Sequence, residues 1–335
     1  MSGATPADDV GADSRGHPLA KTGRWFSPLQ ALPTPAIFAA AAALALLVIW
    51  RRGGLDEVAD PVANAHPLAV IAVLGIYAAS IMVLAARWHT LVGMADGTPA
   101  WTASAEVFLT SVVVNYAAPI GLAVPTRAAL TVRDLRLSPA QSGTVVAWEL
   151  GLDVGALVLV SGAWLILDGW AMRDAFFPDG RALAIGAGVF VAVILAMVRV
   201  LRRETVRDRV LLFARRMIAN PAQRPGHALL AIALTVAFWI MQMGVMAILL
   251  SIFGIAPGIA LVLGLMGLPV LIGMLSPIPG GAGVREALMT AVGRMDGAPA
   301  APVLLAAVTY RLALFAVTPV VWGLVRLARK RLQVG

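Results

Sequence analysis

A chain of 335 residues with 60% hydrophobic and only 13% charged side chains and a mean hydropathy of +0.86 cannot coat a water-facing surface, because a soluble domain carries about 25% charged residues. The excess apolar surface must face lipid, and the absence of cysteine excludes disulfides, thiolate catalysis and Cys-ligated metals. The net charge of +8 fits either a nucleic-acid binder or the basic loops of a membrane protein, and the arginines fall between apolar segments, which favours the second.

Residues 1–34, rich in Gly, Pro, Ala, Ser and Asp, read as a disordered tail ahead of one membrane domain over 35–331. Apolar stretches follow at roughly 36–50, 67–86, 101–119, 141–167, 182–198, 227–253, 257–276 and 300–325. Most approach the ~20 residues that cross a bilayer. The first is short and reads as a first span or a signal anchor. Trp50, Trp88, Trp101, Trp170 and Trp322 mark several ends, as an interfacial belt does. Two shorter segments, 120–136 and 279–295, start with Pro and Gly and carry Arg. Broken backbone at membrane depth is tolerated only inside protein or beside a water-filled cavity. The expected fold is therefore an all-α polytopic membrane protein with about eight long helices plus two short re-entrant or half-crossing helices.

Loop charge orients the chain. The richest loop, Arg199–Arg224, and the C-terminal Arg326, Arg329, Lys330 and Arg331 should both be cytoplasmic. They share one side if both short segments cross, which is the preferred arrangement. Arg199–Met217 alternates cations with apolar residues and reads either as a helix lying on an anionic leaflet or as a plain loop. Pro119–Gly121 and Pro279–Gly281 stand 160 residues apart. Spans precede and follow them in the same order, giving pseudo-repeats over about 67–168 and 227–326. In the preferred topology these form an inverted repeat, the plan of secondary transporters, whose sites lie at interrupted helices.

The strongest local signal is Pro277–Glu286, Pro-Ile-Pro-Gly-Gly-Ala-Gly-Val-Arg-Glu. Gly280, Gly281 and Gly283 after Pro279 open backbone conformations closed to other residues. Free N–H groups starting the next helix make a seat for phosphate or carboxylate. Arg285 adds a forked donor, and Glu286 pairs with it or with another cation; an ordinary extramembrane turn is the bland alternative. Glu149 and Asp153 lie on one helical face of an apolar span, where each charge costs about 2.5–3.5 kcal/mol at mid-bilayer. They need a polar interior or a cation, unless both reach interfacial water. Arg311 is a natural counter-ion for Glu149, Asp153 or Glu286, and Arg127 is another cation candidate. Structural ion pairs are the bland account of all these charges. Asn115 and Glu106 are weaker candidates, and Gln242 with Met241, Met243 and Met246 reads as packing. His17, His66, His89 and His227 show no ligand spacing, so neither metal nor cofactor is expected. No nucleophile elbow, P-loop or zinc helix is present, so the chain reads as a non-enzyme. General-base work by Glu149 or Asp153, in an intramembrane transferase, is a third reading.

At these residues the sequence resembles the lysylphosphatidylglycerol synthase transmembrane-region family, the flippase-like domain, over about 35–330. A Pro-Gly-Gly-x-Gly-x-x-Glu motif matches Pro279, Gly280, Gly281, Gly283 and Glu286. An Asn…Pro…Arg motif resembles Asn115, Pro119 and Arg127, a Glu-x-x-x-Asp pair resembles Glu149 and Asp153, and a late Tyr-Arg resembles Tyr310-Arg311. Two departures stand out. Ala123 and Val124 replace a Gly and an acidic residue, and Leu150 replaces an Arg after the motif Glu. The resemblance implies handling of membrane lipids, with an anionic or phosphate headgroup as partner, in the plasma membrane of a prokaryote. It gives a phospholipid flippase as first expectation. The alternative is an accessory or scaffold protein beside lipid-biosynthesis enzymes. No soluble synthase domain is expected.

Overall fold

A computed structural model describes residues 43, 47, 51, 56–117, 123–169, 204–276 and 281–334. Among these, the helices in chain order are α1 (Asp56–Ala63), α2 (Pro67–Met94), α3 (Trp101–Ala117), α4 (Ala123–Leu135), α5 (Pro139–Trp164, extended by a π-helical turn at Leu165–Gly169), α6 (Glu204–Gln223), α7 (Pro225–Ile252), α8 (Ile259–Met266), α9 (Leu268–Leu275), α10 (Val284–Met295) and α11 (Ala300–Val334). No strand occurs among the described residues. The expected stretches 36–50 and 182–198 lie largely or wholly outside them, as do Pro119, Pro279 and Gly280.

Among the described residues four helices, spanning Pro67–Met94, Pro139–Asp168, Pro225–Ile252 and Ala300–Leu332, are long and apolar enough to cross a membrane. The 28 residues of α2 make a rod of about 42 Å at 1.5 Å per residue. Pro stands at the first helical position of α2, α5 and α7, where its missing N–H costs nothing. Ser138 and Gln141 close a capping box at the start of α5. The 101–119 stretch is helical over its described residues, Trp101–Ala117. The expectation of further long spans is corrected at one place. The 257–276 stretch is two 8-residue helices broken at Gly267. Pro269, without an N–H and bulky against the preceding turn, favours a break there, and a side chain at Gly267 would meet Ser161 of α5.

The core runs between α2, α7 and α11 and includes Tyr77, Trp88, Leu91, Met246, Leu249, Leu250 and Ala306. Large apolar side chains on the outer surfaces are exposed instead, among them Ile71, Leu159, Leu229, Ile240 and Leu324. α2 and α7 run antiparallel. Arg87 bonds Thr235 and Ser80 bonds Gln242, two rungs about 10 Å apart at two helical turns.

One end of the bundle is basic. Gln141 at the start of α5 donates to the Ala95 carbonyl after α2 at 2.9 Å. Arg224, leading into α7, reaches the Gly93 carbonyl and Asp96, each at 2.6 Å. Arg329 near the end of α11 meets Glu106 near the start of α3 at 2.6 Å. Arg133, Arg136, Arg215, Arg216, Arg326, Lys330 and Arg331 belong to this end. The opposite end gathers Pro61 of α1 against Gly254 after α7, Trp164 of α5 against Gly264, and Val303 of α11 against Gly293. It carries Asp60, Asp168 and Asp296. Asp296 touches Asp168, and burial, followed by that neighbouring carboxyl, raises its pKa above the ordinary value.

These ends decide how the short helices run. α3 leaves the basic end and α4 returns to it, since α5 starts there. α8 leaves the opposite end and α10 returns to it, since α11 starts there. Each short helix therefore comes back to the end from which its predecessor left, and the two hairpins are rooted at opposite ends. The amphipathic stretch before α7 is helical over Glu204–Gln223, with Leu211, Phe213 and Ile218 exposed between its cations.

Candidate functional site

In the first hairpin, α4 is tied to α5 through Arg127. Its Nη1 donates to both oxygens of Glu149, and its Nε donates to Ser111 Oγ of α3 at 2.7 Å. Its guanidinium also lies over the rings of Phe108 and Trp88, 4.7 and 5.3 Å from their centroids. Glu149 faces a second cation, Arg87 of α2, at 3.8 Å. Arg87 is 1% exposed and forks onto Asp153, with bonds of 2.6 and 2.8 Å. The one-face spacing of Glu149 and Asp153 thus places both carboxylates against two arginines, in a balanced cluster. Burial of Arg87 and Glu149, and partial burial of Arg127 and Asp153, is tolerable because each charge has a partner.

The second hairpin repeats the tie with the signs exchanged. Glu286 of α10 accepts from Arg311 Nη1 of α11 at 2.7 Å, with both side chains under 10% exposed. Two glycines shape the approach. Gly281 has φ +66 and a Cβ there would lie 2.6 Å from Gly273 Cα, so only glycine lets the break fold onto α9. Gly283, at φ +82, turns its N–H onto the other Glu286 oxygen at 2.7 Å, which closes the start of α10.

Arg285 projects differently. Its guanidinium sits 4.8 Å from the Tyr310 ring centroid, its stem packs against Gly273, and its Nη2 is buried without a hydrogen-bond partner. Among the described residues no carboxylate pairs with it. Arg285 is half-buried, and a cation–π contact of about 0.5–2 kcal/mol does not replace the hydrogen bond that its buried Nη2 lacks. Around the two clusters, Arg87, Arg127, Arg285 and Arg311 stand against Glu149, Asp153 and Glu286, which leaves one positive charge in excess among the described residues.

Several expectations are sharpened or corrected. Arg311 pairs with Glu286 of the three carboxylates proposed for it. Gln242 is not mere packing: it accepts from Tyr310 Oη at 2.8 Å and donates to Ser80 Oγ at 3.1 Å, linking α11, α7 and α2. Arg87 lies just beyond the apolar stretch 67–86 and is absent from the sequence candidates; the apolar residues Leu91, Val92 and Met94 beyond it are the signal that the helix continues. Glu106 binds Arg329 at the basic end, away from both clusters. Asn115 is helical, with its side chain outside the described residues. Leu150, where relatives are expected to carry Arg, is 39% exposed and points away from Glu149 and its partners. No group of three metal-ligating side chains occurs among the described residues.

No curated protein matches the chain. The sequence pattern of the lysylphosphatidylglycerol synthase TM region matches residues 36–323. A bundle of apolar helices around buried Arg–carboxylate clusters, matched over most of its length, therefore belongs to the lysylphosphatidylglycerol synthase transmembrane-region family.

Proposed function

We propose that this protein moves a phosphate-bearing lipid, a phospholipid in the first instance, between the leaflets of a prokaryotic plasma membrane without covalent chemistry. The basic end faces the cytoplasm, following the bias of Lys and Arg in membrane proteins. The two oppositely rooted hairpins act as halves of an inverted repeat, with the headgroup between them and the acyl chains in lipid. Arg285 carries this reading. It is a cation with a buried, unpartnered donor, next in sequence to Glu286 of the Glu286–Arg311 pair and stacked on Tyr310. A phosphate oxygen accepts from such a guanidinium in charge-assisted geometry and cancels the charge left in excess. Lowering the cost of a headgroup in hydrocarbon is what a flippase must do.

The closed, buried contact between Arg311 and Glu286 favours a second reading, a membrane scaffold beside lipid-biosynthesis enzymes in which these pairs are purely structural. Movement of labelled phospholipid across reconstituted vesicles separates the two. Under the transport reading, Arg285→Gln lowers the rate at least tenfold, equivalent to about 1.4 kcal/mol, while the protein stays folded. Rates equal to wild type in Arg285→Gln and in the double variant Glu286→Ala, Arg311→Ala would reject the site.

A further inference from the structure

The basic end holds a cavity of about 330 Å³ that neither charge cluster reaches. Its walls are Ala95 and Asp96 after α2, Ser138, Gln141 and Thr144 at the start of α5, and Arg216 and Asn220 on α6. This volume falls within the roughly 300–1,000 Å³ of small-molecule sites. Polar groups line it, whereas the grooves on the flanks, such as the one between Val70, Leu249 and Leu312, are apolar.

Most of its polar groups are spent. Gln141 gives its amide N–H to the Ala95 carbonyl and takes the Ser138 N–H. Thr144 donates to the Ala140 carbonyl, and Asp96 is neutralised by Arg224 at 2.6 Å. Arg216 and Asn220 are the exceptions. Neither has a hydrogen bond or ion pair among the described residues, and four residues apart they share one face of α6. A planar guanidinium beside an amide NH2 is a donor set for a phosphate. With Asp96 already matched by Arg224, the local balance is positive. The same helix exposes Leu211, Phe213 and Ile218, as a helix lying in the lipid–water boundary does.

We propose that the cavity beneath α6 seats the phosphate of an anionic glycerophospholipid from the leaflet at the basic end, with Arg216 and Asn220 as its donors. This site is separate from the one around Arg285. It holds a lipid at the surface and does not depend on transport. A free phosphate ion has the same chemistry, so the test compares the two sources. Full-length protein is reconstituted in vesicles of phosphatidylcholine with phosphatidylglycerol bearing a photoactivatable headgroup, and cross-linked peptides are mapped. Labelling is expected at residues 138–144 and 216–220. It should fall at least tenfold in the variant Arg216→Gln, Asn220→Leu and persist in Arg215→Gln, whose exposed side chain does not line the cavity. Labelling of residues 281–286 reports separately on the proposed transport site, so the failure of one does not count against the other. Unchanged labelling in the double variant overturns the proposal, and so does its suppression by millimolar inorganic phosphate, which would make the occupant a soluble anion.

Discussion

The two hairpins solve the same problem with different charge balances. In the first, Arg87 and Arg127 face Glu149 and Asp153, and all four charges are matched. In the second, Arg311 matches Glu286 while Arg285 has, among the described residues, a ring face and no carboxylate. A matched cluster in low dielectric is self-contained and gives an incoming ion nothing to bind. An unmatched guanidinium keeps its desolvation cost until an anion arrives. Under the proposed function, the first cluster maintains the fold and the second contacts the ligand.

The largest expected effect separates these roles. Arg87→Met leaves Asp153, half-buried, and Glu149, buried, without their shared cation, which should cost up to about 3 kcal/mol and lower the unfolding midpoint in a detergent thermal melt. Adding Asp153→Leu should restore much of that stability, because replacing both partners removes the stranded charge. Arg285→Met, by contrast, should leave stability equal or slightly improved. Equal losses at Arg87 and Arg285 would dissolve the distinction.

A smaller effect is expected where the two regions are joined. Gln242→Leu removes the link from Ser80 to Tyr310 and strands a buried phenol. This should cost about 1–3 kcal/mol, read by the same melt, and should loosen the ring that supports Arg285. A melt unchanged by Gln242→Leu would show that the clusters are mechanically independent.

The smallest effect concerns the acidic end, where Asp168 after α5 meets Asp296 before α11. The Asp296 pKa is raised by burial and by Asp168, so the fold favours its protonated form. Its stabilising contribution is fully present below the ordinary value of 3.8 and is lost as pH rises through the raised value. Asp296→Asn should flatten the acid limb of the stability–pH curve. A slope identical to wild type would show that this contact does not tie the halves.

Much of the site could be read from the chain. Glu149, Asp153, Arg127, Glu286 and Arg311 stood out because a charge in an apolar span demands a partner. Arg285, Gly281 and Gly283 stood out because Pro and Gly interrupt a hydrophobic run. Arg87 did not, since an Arg followed by Trp looks like a span end, and only the buried fork onto Asp153 shows that the helix goes on. Gln242 was equally silent, because a lone amide among methionines has no spacing signature.

The amino-acid sequence by itself determined the class of protein, the long apolar helices, the interrupted segment and its family. These follow from local composition, periodicity and motif order, which every stretch of chain carries within itself. Only the tertiary structure decided which cation meets which carboxylate, that α4 and α10 return to opposite ends, and that Arg285 has no counter-charge among the described residues. Pairing depends on distances between residues as far apart as Arg87 and Asp153, and the free energy of a buried charge is set by its neighbours in space rather than by its neighbours in the chain.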